Sequence, residues 1–230
     1  MKQTKLLVLS LLFSQCVLSQ IYEVGLYSGA SNFIGDVGST NYIAPKEIAF
    51  GGILKWNRSP RHSFRLSIIK GKLTGDDATS DDPRRINRGY SFSNDITEIS
   101  AGMEYTFWEF NLHESGFHHT PYLHTGISFL RSEQFYFQNN ANTSSLNAKQ
   151  WNFAIPMTIG YKAAISRQLI LAFDLGIRYS FSDDLDGSNS NNDDVDIAYQ
   201  FGNTNSNDWY TFTGFTLTYT FGRKPCYCNF

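Results

Sequence analysis

Residues 169–181 read Leu-Ile-Leu-Ala-Phe-Asp-Leu-Gly-Ile-Arg-Tyr-Ser-Phe, so every odd position is large and apolar while the even ones include Asp174, Gly176, Arg178 and Ser180. Successive strand side chains point to opposite faces, and a two-residue period of this kind describes a strand with one oily face and one that hides ionised groups. The pattern recurs. Trp151, Phe153, Ile155, Met157, Ile159 and Tyr161 oppose Asn152, Ala154, Thr158, Gly160 and Lys162. Thr97, Ile99, Ala101, Met103, Tyr105 and Phe107 oppose Glu98, Ser100, Gly102, Glu104 and Thr106, and residues 209–221 alternate in the same way. Shorter or less regular alternations occupy residues 22–30, 48–56, 64–68 and 121–129, for a predicted total of eight strands.

A soluble sandwich alternates too, but its charged face is wet and rich in long polar side chains. Here that face is crowded with Gly25, Gly51, Gly102, Gly126, Gly160, Gly176 and Gly214, interleaved with single charges. Small residues suit a tight interior. Glu23, Lys55, Arg65, Glu98, Glu104, His124, Lys162, Asp174 and Arg178 are therefore expected to meet inside a narrow barrel, where unpaired charges are strongly unfavourable and acids and bases must pair. The apolar face then looks outward to lipid, and Trp56, Phe107, Trp108, Trp151, Tyr161, Tyr179, Trp209 and Tyr219 supply interfacial girdles. The expected fold is all-β: an eight-stranded antiparallel up-and-down transmembrane barrel with long outer loops and short periplasmic turns.

The amino terminus agrees with export. Lys2 and Lys5 precede an apolar run at residues 6–13, and small or polar residues follow to Gln20, the layout of a cleaved secretory signal. Cys16 invites a lipoprotein reading, but Gln15 before it is bulkier than a lipid-attachment site carries. No other stretch approaches the ~20 apolar residues of a spanning helix. The predicted layout is a signal peptide at residues 1–20, an outer-membrane barrel at 21–221 and a periplasmic tail at 222–230. Outer connections are expected at 31–46, 74–94, 131–150 and 182–208, and inner ones at 57–62, 109–120 and 164–168. This long and short rhythm with an even strand count belongs to outer-membrane barrels.

Composition narrows the partners. The 19 Lys and Arg, which include Lys2 and Lys5, stand against 21 Asp and Glu, so nothing points to nucleic acid. Past the signal only Cys226 and Cys228 remain, too few for a disulfide scaffold; a local bridge, a bond to a partner and free thiols all stay open.

Catalytic and metal readings are thin. His124 and Ser128 share a face, but that separation is roughly 13 Å along a strand, out of reach of direct proton transfer. His124 is expected to pair with a glutamate in the lumen, and His118 and His119 to lie in a wet turn. Asp183, Asp184, Asp186, Asp193, Asp194 and Asp196 load the last outer loop with acid, but their spacing does not make an EF-hand, and a solvated, mobile loop is expected. In the second loop Asp76, Asp77, Asp81 and Asp82 have Arg84, Arg85 and Arg88 to pair with. No cofactor, metal, small-molecule substrate or enzymatic activity is expected.

Several short motifs stand in order: Tyr22-Glu23-Val24-Gly25, Ser31-Asn32-Phe33-Ile34-Gly35-Asp36, Arg88-Gly89-Tyr90-Ser91-Phe92, Thr120-Pro121-Tyr122, the stretch Ile155-Pro156-Met157-Thr158-Ile159-Gly160-Tyr161-Lys162, and Arg178-Tyr179-Ser180-Phe181-Ser182-Asp183-Asp184-Leu185-Asp186. In these the chain resembles the PorG-like outer-membrane barrels of Bacteroidetes, associated with type IX protein secretion and, in gliding members, with motility. It departs from them in the low-complexity insert at 187–192. The resemblance implies an accessory component that attaches a periplasmic ring, a lipoprotein and its partner of the PorK and PorN type, to the outer membrane. Surfaces expected to dock such a ring are Arg58, Arg61 and His62 in one turn, residues 109–119, Arg167, and Arg223, Lys224, Cys226 and Cys228 in the tail. The alternative is a small barrel of the OmpA or OmpX kind, acting as an envelope structural protein or as an adhesin through its outer loops.

Overall fold

The computed structural model describes residues 21–111, 116–137, 143–189, 199–203 and 205–222. Eight strands follow in chain order: β1 (Ile21–Ile34), β2 (Glu47–Asn57), β3 (His62–Asp76), β4 (Ser91–Thr106), β5 (His119–Phe137), β6 (Thr143–Ala164), β7 (Leu169–Ser180) and β8 (Trp209–Phe221). Each pairs antiparallel with its neighbours in sequence, and β1 pairs with β8 to close the barrel. Closure leaves no unpaired sheet edge around the wall, as a strand protein surrounded by hydrocarbon requires.

The side-chain period assigns the faces. On β7, Ile170, Ala172, Asp174, Arg178 and Ser180 are buried while Leu171 and Phe173 are exposed. The same parity on the other strands leaves an outward belt of Leu26, Phe50, Leu66, Ile99, Ile127, Met157, Ile159 and Leu217. Leu26 is 71% exposed and Ile159 63%. Water does not tolerate a continuous apolar surface of this extent on a monomer; a lipid bilayer demands one. Ring pairs flank the belt at both rims. Trp56 and Phe64 lie 5.3 Å apart and Tyr22 and Phe221 6.0 Å apart at the end carrying the tight turns. Tyr179 and Trp209 lie 4.9 Å apart and Phe153 and Phe181 5.2 Å apart at the end carrying the long connections.

Two expectations about the connections need correction. Residues 131–150 were expected to form a loop, but β5 continues to Phe137 and β6 begins at Thr143, with Glu133 paired to Lys149 and Phe137 to Thr143. At 19 and 22 residues these strands are about twice the 9–11 that cross a bilayer. Their alternation fades in sequence because the extension stands clear of lipid. Similarly, residues 31–34, 74–76 and 91–94 are strand, not loop. The second long connection folds into a 3-10 turn (Asp77–Thr79) and a short helix α1 (Pro83–Arg88). Asp82 caps α1 by accepting from Arg84 N, Pro supplies its first turn, and Gly89 ends it at φ 69°, where a side chain would be strained.

Placing a charge on the belt tests this assignment. Met157→Arg, 44% exposed in mid-strand, is expected to lower stability by about 2–4 kcal/mol in urea unfolding from lipid vesicles. An unchanged midpoint would mean that Met157 does not face hydrocarbon.

Candidate functional site: a charged lumen sealed at both ends

All nine lumen residues read from the sequence lie inside the barrel, none more than 4% exposed. Toward the turn end, Glu104 takes Lys162 Nζ on Oε1 at 2.7 Å and Lys55 Nζ on Oε2 at 2.8 Å. Asp174 takes Arg65 at 2.8 Å and the Tyr122 hydroxyl. Higher up, Glu98 accepts from Arg178 Nε at 3.3 Å and from the Tyr210 hydroxyl at 2.7 Å. Glu23 is held by neutral donors, Asn57 Nδ2 at 2.7 Å and Thr218 Oγ1 at 2.8 Å. Four carboxylates therefore face four fixed cations, so these charges balance.

The expected His124 to glutamate pair does not form. Glu104 is the cross-strand partner of His124, but its Oε1 takes a charge-assisted bond from Lys162 and its Oε2 an ion pair with Lys55, and neither imidazole nitrogen has a hydrogen-bond partner among the described residues. Ser128 Oγ donates to the Ala154 carbonyl at 3.2 Å, so no Ser–His pair exists. His119 is not in a turn: it opens β5, with Tyr161 Oη 2.5 Å from its Nδ1. Among the described residues no cluster of His, Cys, Asp and Glu could hold a metal.

Tyr27, Asn57, Tyr122 and Tyr210 also belong to this interior and were not singled out from sequence. Their parity was the available signal, since Tyr122 is two residues from His124 and Tyr27 two from Gly25. Glycines make room for such groups: a methyl at Gly160 would enter the Tyr122 ring, and one at Gly176 the Arg178 guanidinium.

Among the described residues, buried apolar side chains cover the ions toward either end. At the turn end Phe110 is 6% exposed, lies 4.8 Å below Lys162 Nζ, and its backbone N–H bonds Pro60 O. Apolar side chains interleave with the upper ions, Ile69 and Leu130 as the cross-strand partners of Glu98 and Phe212 under Arg178, and Leu73, Ile96, Phe33, Phe92, Phe135, Phe137 and Leu185 continue the apolar filling toward the loop end. The outer connections are tied across it. Asp77, wholly buried, accepts from Arg88 at 2.7 and 2.9 Å, from Gly38 N at 2.8 Å and from Tyr90 N at 3.0 Å. Arg85 donates to the Gly35 and Gly38 carbonyls, and Arg84 pairs with Asp82 at 3.2 Å.

In the described part of the last loop, two of the acids expected to be solvated are instead buried. Asp184, Asp186 and Asp208 are buried, and Asp186 Oδ2 receives the Asp36 and Val37 N–H groups at 3.0 and 3.1 Å. Asp186 and Asp208 cap backbone N–H groups, and Asp184 accepts from Gln150 Nε2 at 3.1 Å. Burial, and after it the neighbouring acids, raises Asp208 well above the usual carboxyl range, burial likewise raises Asp186, and Asp183 is pushed up to about 6. Asp193, Asp194 and Asp196 lie outside the described residues.

The residues expected to dock a partner are dispersed. Arg58, Arg61 and His62 sit at the turn between β2 and β3, and Arg167 at the turn between β6 and β7, four strands away around the closed ring. Arg61 is partly used internally, donating to Phe107 O at 2.9 Å and pairing with Glu109 at 3.5 Å, and Ser59 Oγ lies 3.2 Å from His62 Nδ1. Arg58 and Arg167 are exposed. Arg223, Lys224, Cys226 and Cys228 lie outside the described residues, as do residues 1–20.

Removing one ion tests the network. Glu104→Gln leaves two buried ammonium groups short of a counter-charge and is expected to cost on the order of 3–5 kcal/mol. Tyr122→Phe, which removes one bond to a buried carboxylate while Arg65 still serves Asp174, is expected to cost about 1.5–3 kcal/mol in the same unfolding assay. At the loop end, a carboxyl with a raised folded-state pKa binds its proton more readily folded than unfolded. Its loop is therefore most stable at low pH and loses stability as pH rises from the ordinary carboxyl range through about 6 for Asp183. Intrinsic-rate-corrected amide exchange at residues 36–38 and 183–189 should accelerate between pH 5 and 7, and Asp183→Asn should flatten that dependence.

Among proteins of curated function, none matches the sequence. Solved structures to which the chain is similar include neisserial surface protein A, with 11% identity and a TM-score of 0.47 over 88% of this chain and 97% of that one. The N-terminal barrel of Pseudomonas aeruginosa OprF shows 12% identity and a TM-score of 0.44 over 88% and 98%. Ail, the attachment invasion locus protein of Yersinia pestis, shows 10% identity and a TM-score of 0.41 over 89% and 100%. A profile of the family described as Domain of unknown function (DUF6089) matches residues 2–230, and the chain belongs to that family.

Proposed function

We propose that this chain is a non-conducting, non-enzymatic barrel of the outer membrane that acts through its two ends as a fixed point for protein assembly. The observation that carries this reading is the filled lumen: paired ions interleaved with apolar side chains, with Phe110 buried at the turn end and Leu185 at the loop end, leave the wall and the rims as working surfaces. Eight strands enclose an interior just wide enough for side chains. A folded cargo protein does not pass through it.

The partner is a periplasmic ring of the PorK and PorN type, and the process type IX secretion. The PorG-like motif order supports this, and so does the wide spacing of Arg58 and Arg167, which offers a large assembly two anchor points on opposite sides of the barrel. With the N-terminal end of β1 in the periplasm, both turns face that compartment. A second reading, a structural protein or adhesin working through the outer loops, is favoured by the tied loop end, where Asp77 and Arg88 hold a defined surface.

Photo-crosslinking residues placed at Arg58 and Arg167 are expected to capture the ring lipoprotein or its partner, and deletion of the chain to abolish secretion. Capture from loop positions only, with secretion intact, would establish the second reading. Planar-bilayer recordings should show no stable large conductance; a steady open channel would refute the sealed lumen.

A further inference from the structure

The outer wall carries its cations in one place. Outward strand positions on β7, β8, β1 and β2 hold no Lys or Arg, whereas Lys70 and Lys72 on β3, Arg131 on β5 and Lys149 on β6 all face outward near the loop end. Strand register arranges their surroundings in rows. Ile68, Ile99, Phe129 and Phe153 are successive cross-strand partners and 36–48% exposed. The next outward row is Lys70, Thr97, Arg131 and Trp151, and the one beyond contains the pairs Lys72–Asp95 and Glu133–Lys149. Each step is two residues, about 7 Å along a strand, so hydrocarbon contact gives way to cations within a single step.

Lys72 and Lys149 are engaged, at 3.7 Å to Asp95 and 3.0 Å to Glu133. Lys70 and Arg131 form no ion pair or hydrogen bond among the described residues. Four cations against two acids leave a positive excess around a cleft of about 400 Å³ that Ile48, Phe50, Lys70 and Arg131 help to line.

We propose that this face binds a phosphate-bearing lipid of the loop-side leaflet, its phosphate on Lys70 and Arg131 and its acyl chains along Ile68, Ile99 and Phe129. A planar guanidinium takes two phosphate oxygens at once, and lysine extends its ammonium toward the head-group layer while its stem covers apolar wall. The site rests on the outer-membrane reading above.

The full chain, reconstituted in phosphatidylcholine nanodiscs containing lipid A or dephosphorylated lipid A, is released into detergent and its retained lipid counted by native mass spectrometry. Lipid A is expected to be retained about tenfold over its dephosphorylated form, a preference that charge-assisted phosphate contacts readily supply. The double variant Lys70→Gln and Arg131→Gln should lose that preference, while Arg58→Gln with Arg167→Gln, at the other end, should keep it. Equal retention of both lipids by the unaltered chain, or an unchanged preference in the Lys70 and Arg131 variant, overturns the lipid site alone. A chain that does not enter nanodiscs overturns the outer-membrane reading and the site with it.

Discussion

Charge pairing inside a narrow cylinder is the constraint on which the rest of this protein depends. Four carboxylates and four fixed cations are withdrawn from water, and each would be prohibitive there alone. Their neutrality as a set, and the hydroxyls of Tyr122 and Tyr210 that complete two of the carboxylates, make the interior a solid support for the wall. Glycine at inward positions is the complement of this arrangement, since the large groups need the space that Gly160 and Gly176 leave.

Acid plays a different part at the loop end. Asp77, Asp186 and Asp208 take backbone N–H groups from segments far apart in sequence, so carboxylates do the tying that strand ladders do below. Asp77 has Arg88 to balance it. Asp183, Asp186 and Asp208 are raised chiefly by burial, so that part of the rim responds to pH.

Much of the architecture was legible in the residues because the two-residue period is local. Parity alone placed Glu23, Lys55, Arg65, Glu98, Glu104, His124, Lys162, Asp174 and Arg178 on one face, and the same parity holds Tyr27, Tyr122 and Tyr210 there. What parity does not carry is partner choice. Whether Glu104 meets His124 or two lysines depends on how far each side chain reaches across the lumen, a distance set by closure. The extension of β5 and β6 past the membrane was likewise hidden, because strand leaving lipid loses the apolar face that marks it.

The sequence by itself determined the class of fold, the inward and outward faces and the even strand count, since each follows from side-chain alternation along a single strand. Only the tertiary structure decided which ions pair, that Asp186 is buried as a cap on the first outer connection, that Arg58 and Arg167 stand on opposite sides, and that the outward cations share one face. These are relations between strands, fixed by register and by closing the ring, and no local pattern encodes them.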